Sequence, residues 1–179
     1  GERRWPMARG GKDEECNLAM TKPGATAKPN RGLDLGVWLI SLVAAVIPLW
    51  VSDLLPFMDM PQHLATMRVL AGGDQPELQL DTFYEWHLLE TQYLADYLAV
   101  LAVEYVVDLE VANRVVLSLY AVGLPLSVAV YLKAHRRDPG VALLAVPLVF
   151  NCFLFMGFAN YVCALPLLFL ALAWFTVCN

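Results

Sequence analysis

Asp59 and His63 stand four residues apart in the run Asp59-Met60-Pro61-Gln62-His63. On a helix that spacing puts the two side chains on neighbouring turns of one face. A carboxylate so placed can take a proton from a hydroxyl or hold a divalent cation, and an imidazole beside it can orient it. Structural roles compete with that chemistry. Asp59 is a good helix N-cap ahead of Pro61, and His63 also reads as an interfacial histidine with no ligand role. Arg114 carries the fork that binds phosphate bidentately, but a guanidinium at the end of an apolar run also serves as a snorkelling anchor. Asn160 and Tyr161 are polar groups at a short break between two apolar runs.

The rest of the sequence dictates where such groups sit. The chain has 179 residues, of which 59% are hydrophobic and only 16% charged. Its mean hydropathy is +0.54. A water-facing domain of this size carries about a quarter charged residues, so there is too little polar surface here to cover one. Disorder throughout is excluded by the same composition. A net charge of −5 offers no basic footprint for nucleic acid. Four cysteines without a CxxC spacing imply neither a disulfide framework nor a zinc site. No Gly-rich phosphate loop or Walker motif occurs. An integral membrane protein in contact with the lipid bilayer remains.

Four runs are long and uncharged enough to cross a bilayer: Gly36 to Ser52, Val115 to Leu132, Val141 to Phe158 and Tyr161 to Val177. Each contains one proline, namely Pro48, Pro125, Pro147 and Pro166, and a local kink is expected at each. Tyr93 to Val107 is apolar but carries Asp96 and Glu104. With Asp108 these carboxylates fall on an arc of about 120° on a helix. They read as a solvated face on an interfacial or re-entrant helix, because a carboxylate at the bilayer centre costs at least ~2.5 kcal/mol.

Basic residues orient the spans. The tail before the first run holds seven Lys/Arg, and the loop Lys133 to Gly140 holds three: Lys133, Arg136 and Arg137. Both belong on the cytoplasmic side, so an even number of spans separates them. That argues again for a non-spanning Tyr93 to Val107. The expectation is an all-α polytopic membrane protein of the cell membrane, with a cytoplasmic N-terminus, about four transmembrane helices, and one or two outer interfacial helices. Residues 1–34 read as a disordered basic tail and 35–179 as the N-terminal part of a helical transmembrane domain. The start at Gly1 and the stop after an apolar run suggest an opening piece of a longer chain.

The segment from Asp53 to Glu110 would then lie outside, with eleven Asp/Glu and one base, Arg68. A short amphipathic helix is expected from Met60 to about Ala71, with Leu64, Met67 and Ala71 on its apolar face and Gly72-Gly73 ending it. Glu85, His87 and Glu90 surround Trp86, which suits an interfacial anchor. Cys152, Cys163 and Cys178 lie in apolar runs and read as small packing residues.

A first span followed by an outer Asp-x-Pro-x-His element resembles the start of GT-C-type membrane glycosyltransferases. Leu109-Glu110-Val111-Ala112-Asn113-Arg114, leading into a long span with a basic end, is similar to that family. So are Pro147-Leu148-Val149-Phe150-Asn151 and Gly157-Phe158-Ala159-Asn160-Tyr161. The resemblance covers roughly Leu35 to Val177. It implies an enzyme that uses a polyprenyl-phosphate-linked sugar at the outer membrane face, with an acidic residue of the first outer loop close to the acceptor. Carried over, that residue is Asp59, with Asp53 second. The resemblance further implies His63, Arg114, Asn160 and Tyr161 as substrate-binding groups and leaves room for a divalent cation as cofactor. Two other functions stay open: a multi-pass transporter or permease, against which the lack of charge inside the four runs argues, and a non-catalytic membrane protein.

Overall fold

The computed structural model describes residues 31–52, 55–72, 79–85 and 93–178. Asp53, Trp86, His87 and Glu90 lie outside the described residues, as does the N-terminal tail. Among the described residues all regular structure is helical: α1 (Arg31–Val51), α2 (Met60–Ala71), α3 (Leu80–Phe83), α4 (Leu94–Glu104), α5 (Leu109–Ala134), α6 (Cys152–Met156) and α7 (Ala159–Cys178), with two 3-10 segments, Pro139–Ala145 and Pro147–Val149, between α5 and α6.

Three helices are long and apolar enough to cross a membrane: α1, α5 and α7. The chain is a multi-pass helical membrane protein. α1 and α7 run unbroken through Pro48 and Pro166, and α5 through Pro125. Their outward faces carry Ile40, Val43, Leu119, Leu167, Trp174 and other large apolar side chains, the surface lipid requires.

The span expected over Val141 to Phe158, with a local kink at Pro147, is two short helical segments bent by 43°. The reason is local. Pro147 has no N–H to offer the Leu143 carbonyl, which takes a tighter bond from Val146 N–H at 3.1 Å. The Asn151 backbone is extended, and its side-chain oxygen accepts from Leu154 N–H to start α6. Gly157 stops α6 in the left-handed region, at φ 95°. A fourth crossing is therefore available only as a broken one.

α5 is the central post, packed on α7, α4, α1 and the first 3-10 segment. Lipid supplies no hydrophobic drive between spans, so close packing must hold them, and small residues permit it. Ala112, Ala121 and Ala159 are fully enclosed. At the α5–α7 seam the backbone of Gly123 approaches Pro166 so closely that a Cβ would sit 3.6 Å from its ring. α1 joins through Ala45 and Leu49, and Trp50 Nε1–H donates to Ser118 Oγ at 2.9 Å.

The amphipathic helix expected over Met60 to Ala71 forms over those residues, with an altered inward face. Met60, His63 and Met67 are buried, Leu64 packs at their margin, and Ala71 is exposed. Asp59 holds the N-cap position, yet its side chain makes no capping hydrogen bond. It is in αR geometry rather than the extended conformation that capping needs. At the far end, Gly72 N–H closes the helix on the Arg68 carbonyl at 2.9 Å.

Helix α4 corrects the expected solvated acidic face. Its 11 residues make a rod of about 16 Å, half a bilayer core. Tyr97, Val100 and Asp96 are buried, while Ala95, Leu98 and Ala99 point outward. The outer surface is apolar and the carboxylate points in, which is how helices meeting lipid handle an ionisable group. Of the three carboxylates only Asp108, beyond the helix, is exposed, and Glu104 is half-buried. The cysteines also divide: Cys163 packs against the core, whereas Cys152 and Cys178 are exposed.

Candidate functional site

Residues 57–59 are clamped onto the end of α6. Met58 N–H donates to the Phe155 carbonyl at 2.9 Å. The rings of Phe57 and Phe155 meet edge to face at 5.9 Å. Gly157 then brings its backbone against Asp59, where a Cβ would fall 2.8 Å from the Asp59 Cβ. From the other side Asn113 Nδ2–H reaches the Met60 sulfur at 3.2 Å. Three elements far apart in sequence thus hold one short loop.

His63 enters the same assembly from α2. Its Nδ1 and the Tyr97 hydroxyl share a hydrogen bond of 2.9 Å, and its ring tilts against Tyr93 at 4.6 Å between centroids. Burial pushes the imidazole below its usual value, against the opposing effects of the Asp59 charge and the Gly157 backbone. Burial likewise pushes the Tyr97 phenol up. Both groups are therefore neutral at neutral pH. The direction of the bond between Nδ1 and the phenol follows the ring tautomer. Nε2 is buried and completes no hydrogen bond among the described residues, although the Gly157 backbone favours the charged ring.

The other residues singled out in the sequence fall on different sides. Asn160 lines a cavity of about 370 Å³ between α4, α5 and α7, together with Asp96, Tyr120 and Cys163. Tyr161, next in sequence, turns outward and lays its ring 5.1 Å from Phe153. Arg114 shares a helical face with Ser118, whose hydroxyl donates to the Arg114 carbonyl at 2.7 Å and accepts from Trp50. That face is directed at α1. Val116 and Tyr120, which line the cavity, lie about 200° further round. The fold gathers Asp59 and His63, places Asn160 beyond the Gly157 turn, and sends Arg114 elsewhere. Among the described residues, no three His, Cys, Asp or Glu side chains are grouped to hold a metal ion.

Asp96 and Tyr97 carry chemistry that the sequence spacing did not single out. Asp96 is 5% exposed, and burial pushes its carboxyl up to about 6. The three-carboxylate arc pointed to solvent, but another periodicity pointed inward. Tyr93, Tyr97 and Val100 recur at i, i+4 and i+7, and Asp96 sits beside that stripe.

No protein-family model, curated protein or solved structure matches this chain.

Proposed function

We propose that the chain forms part of a GT-C-like membrane glycosyltransferase that uses a polyprenyl-phosphate-linked sugar at the outer face of the cell membrane, with the N-terminus in the cytoplasm. The observation that carries the reading is the docking of Asp59 on Gly157. It sets a half-buried carboxylate beside the turn that opens the helix bearing Asn160 and Tyr161. In this reading Asp59 takes the proton of an acceptor hydroxyl. The acceptor oxygen then bonds to the anomeric carbon, the bond from that carbon to the phosphate oxygen breaks, and the polyprenyl phosphate leaves with the electron pair. His63 is too enclosed to touch a substrate, so it positions Asp59 through its packing. A divalent cation at Asp59 would draw most of its ligands from donor phosphate and water.

Membranes carrying the full-length protein, offered a panel of polyprenyl-phosphate hexoses and pentoses, should transfer sugar. Asp59→Asn should abolish transfer without loss of membrane insertion. Undiminished transfer by Asp59→Asn would remove the reason for the assignment. A transporter reading rests on the buried Asp96, but α4 is too short to carry that carboxylate across the bilayer.

A further inference from the structure

The cavity between α4, α5 and α7 is enclosed by Ala95, Ala99, Val116, Leu119, Pro166 and Leu167, apolar groups that suit a hydrocarbon. Several of them, including Ala99, Leu119 and Leu167, are also exposed on the apolar outer surface, so the cavity opens sideways towards lipid. Within this wall stands Asp96, 5% exposed, with no hydrogen bond or ion pair among the described residues. No Lys, Arg or His lines the cavity. A buried carboxylate is tolerated where an opposite charge or a set of donors meets it. Among the described residues this one meets neither.

Three features define what would complete it. The carboxylate calls for a cation. The apolar walls call for an organic group rather than a hydrated ion. The scarcity of oxygen ligands excludes a hard metal ion, which takes six or more. The Asn160 side chain also lines the cavity.

We infer that this cavity is a binding site for an amphiphile with a protonated amine, entering from the bilayer and pairing its ammonium group with Asp96. The site is separate from the Asp59 loop and does not depend on the sugar-transfer reading.

The test uses the full chain purified in maltoside micelles at pH 7.5, with thermal unfolding as the readout. The probes are n-octylamine, n-octanol and n-octanoate at equal concentration. Octylamine should raise the unfolding midpoint by about 5 °C, while octanol and octanoate leave it nearly unchanged. Asp96→Asn, which keeps the shape and loses the charge, should remove the octylamine shift. Ala164→Leu, which fills the cavity from α7 and leaves Asp96 intact, should remove it as well. Each shift is read against the same variant without probe, so a change in intrinsic stability does not enter. An equal shift with octanol, a shift retained in Asp96→Asn, or no shift in the unaltered protein would each overturn the inference.

Discussion

Gly157 and Asp59 touch backbone to backbone: a Cβ added at Gly157 would lie 2.8 Å from the Asp59 Cβ and 2.9 Å from its amide nitrogen. Contact that close leaves no room for a side chain, and the positive φ of 95° disfavours one in any case. The pairing ties the loop after the first span to the turn before the last.

Gly157→Ala should therefore lower stability by about 2 kcal/mol or more, since strain and overlap add. Gly123→Ala offers the contrast. The new Cβ would meet Pro166 at 3.6 Å, an ordinary contact. Removing a glycine from a helix interior favours the folded state by roughly 0.5–1 kcal/mol. Chemical unfolding of both variants in micelles checks the pair. Equal effects would deny that the Asp59 contact is special.

Tyr97→Phe keeps the ring and deletes the hydroxyl that reaches His63 Nδ1 at 2.9 Å. His63 would then have both ring nitrogens buried without a partner. The expected loss is about 1–3 kcal/mol. His63→Phe should recover part of it in the double variant, because the orphaned polar ring is gone. A double-mutant cycle measures the coupling.

Asp96 gives a dependence on pH with a definite sign. Its folded-state carboxyl is raised to about 6 from an ordinary value of 3.8. A raised value means the folded chain holds the proton more tightly than the unfolded one. The stabilisation is complete below the unfolded value and is lost as pH rises through about 6. Tyr120 on α5 and Cys163 on α7 line the same cavity, and Tyr97 on its own helix, whose phenol burial pushes up, stays neutral across that range. Stability should fall by roughly 2–3 kcal/mol from pH 4 to pH 7 on this account. Asp96→Asn should flatten that part of the profile. His63 contributes the opposite slope: with its folded value depressed, its contribution to stability grows as pH rises towards its ordinary 6.5 and is complete above that.

Asn151 holds the broken segment to the central post. Its oxygen accepts from Leu154 N–H at 3.1 Å, and its amide donates to the Tyr120 hydroxyl at 3.2 Å and the Leu148 carbonyl at 3.1 Å. Asn151→Ala should cost about 1–2 kcal/mol and loosen α6. Faster hydrogen exchange over α6, with α5 unchanged, is the expected pattern.

Sidedness is tested directly at the basic turn. In a cysteine-free background, Lys133→Cys and Arg137→Cys should resist a membrane-impermeant thiol reagent in intact cells and react once the membrane is opened. Reaction in intact cells would place that turn outside and withdraw the proposed orientation.

Much of this protein is written along its chain. Three apolar runs give spans α1, α5 and α7, because 20 or so uncharged residues allow few other fates. The Asp-x-Pro-x-His element and the following Gly72 mark the bounds of α2 through local backbone rules. Local rules also carry the break in the fourth run, where Pro147 and Asn151 outweigh a composition that reads as one continuous helix. Tertiary structure alone decided what lies opposite what. Gly157 meets Asp59, Tyr97 meets His63, and Asp96 turns inward although its spacing with Glu104 and Asp108 suggested water. Periodicity tells which residues share a face but not what covers that face. The direction of α4 is set by α5 and α7, and no residue within α4 encodes their position.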